Sequence, residues 1–122
     1  QVLVWHRMEP ERLSPRVVQI LESPDTDLYV SLVAFWELAL KESNGKLEIP
    51  GGVDGIHADW LSIADGPPLA LDWRHIERVK QLPCIHRDPF DRMLVAQALV
   101  EKMAIITNDP NIAKYPGVHA VW

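Results

Sequence analysis

His86-Arg87-Asp88-Pro89-Phe90-Asp91-Arg92-Met93-Leu94-Val95-Ala96-Gln97-Ala98-Leu99, followed shortly by Ala104-Ile105-Ile106-Thr107-Asn108-Asp109, is the stretch whose reading decides the fold. Asp88 offers a capping carboxylate, and Pro89 suits the first position of a helix. Leu94, Val95, Ala98 and Leu99 then return on one helical face, which predicts a helix running to about Lys102. Ala104 to Thr107 reads as a buried strand. A helix leading straight into a buried strand is a unit of alternating α/β architecture.

Working outward, the same alternation continues. Ser14-Pro15 predicts a helix start, with Val17, Ile20 and Leu21 as its apolar stripe and an end by Pro24. Leu28 to Val30 predicts a short strand. Ser31 then caps a helix through Val33, Glu37 and Leu40 to Asn44, with Gly45 in the C-terminal position. Residues 50 to 68 mix Gly, Pro and polar types around His57, Trp60 and Leu61, which suggests one short helix between loops. Leu69 to Leu71 predicts a second strand, Asp72 a cap for a helix through Ile76 and Val79, and Pro83 its close. Val118 to Val121 is the last expected strand. The fold class expected is therefore α/β, a single domain over 1–122 with a parallel sheet flanked by helices and its active site beyond the carboxyl ends of the strands.

Composition narrows the function. With 122 residues, 48% of them hydrophobic, the chain can bury one core, and 24% charged residues are ordinary for a globular protein. No apolar run approaches the roughly 20 residues of a membrane-spanning helix. Cys84 is the only cysteine, so a disulfide scaffold or a cysteine zinc site does not fit and a reducing cytoplasm is the expected location. The five histidines, His6, His57, His75, His86 and His119, lack metal-ligand spacing, so zinc is not expected. No leader for export is read at the start. The chain begins at Gln1 inside the apolar run Val2-Leu3-Val4-Trp5 rather than at Met, and further residues are expected ahead of it. A formal net charge of −5 argues against a basic nucleic-acid-binding module but leaves room for a nuclease that gathers carboxylates around hard cations.

Three acids stand where a purely structural sequence would place apolar residues. Glu37 shares a helical face with Val33, Ala34 and Leu40, a face expected to pack on the sheet. Asp91 precedes Leu94, Val95 and Ala98 on the apolar stripe of its helix. Asp109 follows directly on the Ile105-Ile106-Thr107 strand, at the end where ligands collect in such sheets. Each also has a plain reading: Glu37 can pair with Lys41 one turn on, Asp91 can favour the helix dipole, and Asp109 before Pro110 can be a turn residue. Trp36, Trp60 and Trp73 read as core or interface anchors, Trp5 and Trp122 as residues that pack together or at a dimer interface, and Arg87 and Lys46 as solvated charge within reach of RNA.

These residues together resemble the PIN domains of bacterial VapC-type toxins over nearly the whole chain. Arg12-Leu13-Ser14-Pro15, Tyr29-Val30-Ser31 leading to Trp36-Glu37, Gly45-Lys46-Leu47, the His86 to Ala98 stretch, Thr107-Asn108-Asp109 and Ala113-Lys114-Tyr115-Pro116 carry the resemblance. It implies a quartet of catalytic and metal-holding acids in which Glu37, Asp91 and Asp109 match the second, third and fourth members. The first, an aspartate at the end of an opening strand, would lie ahead of Gln1, so the first strand is missing from the sequence as it stands. Val2 to His6 would then be helical, although local propensity favours a strand.

The resemblance further implies hydrolysis of RNA by one or two Mg²⁺ or Mn²⁺ ions held on carboxylates, a cognate antitoxin and a homodimer. Thr107, Asp88 and Arg92 are expected in support: Thr107 positioning water or a carboxylate, Asp88 beside the metal site or as a helix cap, Arg92 on phosphate or an acid. Two other readings stand beside this one. A catalytically inactive PIN-fold binding module follows if the first aspartate is absent from the gene. An aspartyl-phosphate phosphatase would need an Asp-x-Asp signature that the sequence lacks.

Overall fold

Ser14, Ser31, Asp72 and Asp88 each begin a helix, and for the same physical reason: each side chain accepts a backbone N–H that the first turn cannot satisfy by itself. A computed structural model of the chain describes residues 1–64 and 66–122. The elements are α1 (Val2–Met8), α2 (Pro15–Glu22), α3 (Leu32–Ser43), α4 (Gly52–Ile63), α5 (Trp73–Gln81), α6 (Pro89–Glu101), β1 (Ile105–Ile106) and β2 (Ala120–Val121), with short 3₁₀ turns at Pro10–Arg12 and Ile112–Lys114. The helix over Val2 to His6 is therefore formed, against the local β preference of its valines.

By its internal contacts the chain divides into two units, Gln1–Leu69 and Ala70–Trp122. The first unit holds α1 to α4 around a core of Val30, Phe35, Leu38, Ile49, Ile56 and Trp60. Trp5 is buried, with the Arg12 guanidinium 4.3 Å from its ring centroid. Helix α3 ends in a Schellman arrangement: Gly45, at φ +64, donates to the Glu42 carbonyl and Lys46 reaches back to that of Lys41. Only a residue at ease with positive φ closes α3 this way, as expected of Gly45.

The segment expected to hold one short helix instead forms the twelve residues of α4. Its apolar positions explain the length, because Val53, Ile56, Trp60 and Ile63 recur at helical spacing and all pack on the first unit's core. Burial of that stripe outweighs the unfavourable propensity of Gly52 and Gly55.

The second unit packs α5, α6, β1 and β2 around Leu82, Val95, Ala96, Ile112 and Tyr115. Strands β1 and β2 run parallel, Ile105 opposite Ala120 and Ile106 opposite Val121. In the first unit Ser31 and Leu69 share one isolated parallel bridge, flanked by the Leu69 N–H to Val30 carbonyl bond of 2.7 Å and the Leu32 N–H to Leu69 carbonyl bond of 3.0 Å. The four expected strands thus appear as extended segments, with short pairings in place of the full parallel sheet that was expected. The pairings are consistent with an α/β arrangement, but a ladder grows only where a neighbouring strand continues the register, and among the described residues neither pair gains a third strand. No helix among them is long and apolar enough to cross a membrane.

Candidate functional site

Three acids of the second unit, Asp88, Asp91 and Asp109, sit on two segments that the fold ties together. Asp88 caps α6, accepting from the Phe90 N–H at 2.7 Å and more weakly from that of Asp91 at 3.4 Å. Pro89 follows in the first helical position and Asp91 lies in the first turn, half-buried. At the other segment, Thr107 Oγ1 accepts the Asp109 N–H at 3.1 Å, just past the end of β1. Asp109 turns the chain in its own right, its Oδ1 accepting the Asn111 N–H at 2.8 Å.

The tie is His86. Its Nε2 lies 2.9 Å from Asp109 Oδ2, while its Nδ1 lies 3.1 Å from the Tyr115 hydroxyl. That hydroxyl also accepts the His86 backbone N–H at 3.1 Å. The tautomer follows from the partners: an ionised carboxylate only accepts, so Nε2 carries the proton, and Nδ1 accepts from the tyrosine. The two rings lie nearly parallel, their centroids 5.6 Å apart. The loop bearing Asp109 is thereby held against the segment that leads into α6 and its Asp91.

The Asn111 N–H, then the hydrogen bond from His86, hold the Asp109 carboxyl below the ordinary carboxylate range against a smaller opposing effect of burial. Its side chain stays 36% exposed. Each oxygen has one N–H partner in these bonds and hence acceptor capacity left over. An ionised, half-exposed carboxylate with free lone pairs suits a hard divalent cation.

The remaining expected residues are engaged as follows. Arg92 closes the end of α5, donating to the carbonyls of Pro83 at 2.8 Å, Val79 at 3.2 Å and Leu82 at 3.3 Å. Glu37 belongs to the first unit and pairs with Lys41 one turn along α3, the plain reading allowed for it from the sequence. The face expected to bury Glu37 is only partly buried: Val33 is inside, but Leu40 is exposed, and the core contacts of α3 run through Phe35 and Leu38. Of the tryptophans, Trp60 is in the core, whereas Trp36 and Trp73 are exposed.

A second group was not foreseen. Asp72, His75 and Glu101 bring ligand atoms within 4.8 Å of one another. His75, 1% exposed, accepts the Asp72 N–H on Nδ1 at 3.0 Å and meets Glu101 on Nε2 at 2.9 Å. Asp72 in turn accepts from the Arg74 N–H, and Arg74 bridges it to Glu101. Both imidazole nitrogens are committed, one as acceptor in a capping box and one as donor to a carboxylate, so the group reads as a clasp between α5 and the end of α6. Asp72 and His75 stand at capping-box spacing, a signal the sequence does carry; Glu101, 26 residues from His75, gives none.

A carboxylate at a strand end, an acid in the first turn of the preceding helix and a fixed link between their segments are features a metal-dependent nuclease can use, and the comparison with known families agrees. The PIN domain matches residues 1–118. The chain belongs to the PIN-domain family. PIN domains are typically metal-dependent nucleases. No curated protein matches this PIN-domain chain. Within it, Asp91 and Asp109 sit on the linked segments of the second unit and Glu37 on α3 of the first. In the sequence His86 and Tyr115 are landmarks of the resemblance, and no spacing rule flags a pair 29 residues apart.

Proposed function

We propose that this PIN domain is a metal-dependent endoribonuclease of the VapC toxin type, hydrolysing RNA phosphodiesters with Mg²⁺, or Mn²⁺ in its place. The observation that carries the reading is Asp109: an ionised carboxylate at the carboxyl end of β1, turned by Asn111 and braced by His86. Asp91 and Asp109 are the residues of the second unit that would hold the cation, both with oxygen donors of the hardness Mg²⁺ prefers. A bound divalent ion supplies an activated water and charge stabilisation at the scissile phosphate. The chain's own contribution is to orient the carboxylates of Asp109 and Asp91. Thr107 does so by fixing the Asp109 backbone, Asp88 by starting α6 so that Asp91 falls in its first turn, and Arg92 by pinning the end of α5 beside that helix.

The toxin role calls for an RNA substrate, a cognate antitoxin, a second copy of the chain and a cytoplasmic setting. Support for a protein partner comes from α3, where Leu32, Trp36 and Leu40 recur every four residues and are exposed, Trp36 to 57%, with Tyr29 exposed just ahead of them.

The test is cleavage of a structured RNA pool by protein expressed from its full gene, with magnesium, with EDTA and with Asp91→Asn. Site-specific cutting is expected with magnesium alone, lost in EDTA and reduced about 100-fold or more by Asp91→Asn, the order of several kcal/mol of transition-state stabilisation. Folded, antitoxin-free protein that cuts no RNA offered would favour a PIN-fold binding module instead.

A further inference from the structure

We propose that His86 is a positioning residue, fixed by Tyr115 from within the core, that sets the Asp109 carboxylate in the orientation needed to receive a divalent cation. The inference rests on the reading of Asp109 as a metal-holding acid and adds the device that orients it.

The geometry is a three-part relay within the second unit. Tyr115 is 2% exposed, seated among Leu82, Val95 and Ile112, so its hydroxyl has a fixed position. That hydroxyl accepts the His86 backbone N–H and meets its Nδ1, each at 3.1 Å, which pins the residue at main chain and ring. The ring then has one orientation in which Nε2–H meets Asp109 Oδ2 at 2.9 Å. The Asn111 N–H holds the other oxygen at 2.8 Å. With both oxygens anchored, the carboxylate cannot turn about its terminal torsion, which in aspartate is otherwise broad. If the His86 bond were lost, only the Asn111 contact would remain and the carboxylate could swing on that single anchor. Outer groups that orient a metal-holding carboxylate raise cation affinity because the ligand is set before the ion arrives.

The measurement is the dissociation constant for Mn²⁺ alone, by calorimetry, on full-gene protein and its variants, with thermal unfolding recorded without metal. His86→Leu is expected to weaken Mn²⁺ binding about 10- to 100-fold. His86→Gln, whose terminal amide can place an N–H near the same point, is expected to recover most of the affinity, and Tyr115→Phe to weaken it in the same direction by less. Wild-type affinity in a folded His86→Leu protein overturns the proposal. So does a His86→Gln protein as weak as His86→Leu, which would mean that bulk rather than the hydrogen bond matters. If His86→Leu does not unfold cooperatively, His86→Gln and Tyr115→Phe decide: near-wild-type affinity in the first with a loss in the second supports the relay, and unchanged affinity in the second overturns it. Asp109→Asn separates the two levels. Full Mn²⁺ affinity in that variant removes the metal reading of Asp109 and this proposal with it, whereas loss there with no loss in His86→Leu overturns only the positioning role.

Discussion

Asp72 does three things at once: it caps α5, holds Arg74 and completes the clasp around His75. Its carboxyl is held below the ordinary range chiefly by the hydrogen bond from the Arg74 side chain, which outweighs the opposing effect of burial, with the Arg74 N–H and the Arg74 charge adding smaller contributions. A group with a depressed folded pKa contributes stability that is complete above its unfolded value of about 3.9 and fades as pH falls through the lower value it has in the fold. Asp72→Asn is therefore expected to lower the urea midpoint at pH 7 and to lose less on acidification below about pH 4 than the parent chain does. Parallel acid limbs for the two proteins would show that Asp72 does not carry this linkage. Read from sequence alone, Asp72 was a helix cap, which it is; its bond to a histidine that also reaches Glu101 required the packed helices.

Helix α6 was the most legible element, because its cap, its proline and its apolar stripe agree. Its far end holds a detail no stripe encodes: Lys102 adopts φ +57, the one non-glycine residue at positive φ among those described, and Met103 N–H returns to the Ala98 carbonyl at 2.9 Å. A side chain pays for the left-handed region in steric strain that glycine avoids. Lys102→Gly is expected to raise stability by about 0.5 kcal/mol, seen as a higher denaturant midpoint at unchanged slope. A lower midpoint would mean the lysine makes compensating contacts. Helix α4 was the least legible, since Gly52 and Gly55 speak against a helix and only the core beneath Val53, Ile56, Trp60 and Ile63 makes it favourable. The strands fell between: their apolar runs were readable, but how many residues actually pair depends on a neighbour in register.

For the whole molecule, 17 acidic against 12 basic residues argue against a basic nucleic-acid-binding module and leave room for cations held on carboxylates. The proposed function predicts that divalent cations strengthen RNA retention rather than only screen it. Filter binding with calcium in place of magnesium is expected to retain RNA better than the same ionic strength of sodium chloride with EDTA. Equal retention would point to cation-independent binding. The sequence by itself determined helices α2, α3, α5 and α6, their caps, and the places of Glu37, Asp91 and Asp109 along the chain, because periodicity and capping chemistry act over a few residues. Only the tertiary structure decided that His86 braces Asp109 from 23 residues away, that His75 meets Glu101 across 26, and that Arg92 closes α5. Hydrogen bonds between side chains so far apart leave no period or spacing in the chain. They exist only once burial of Val95, Tyr115 and their neighbours has brought the segments together.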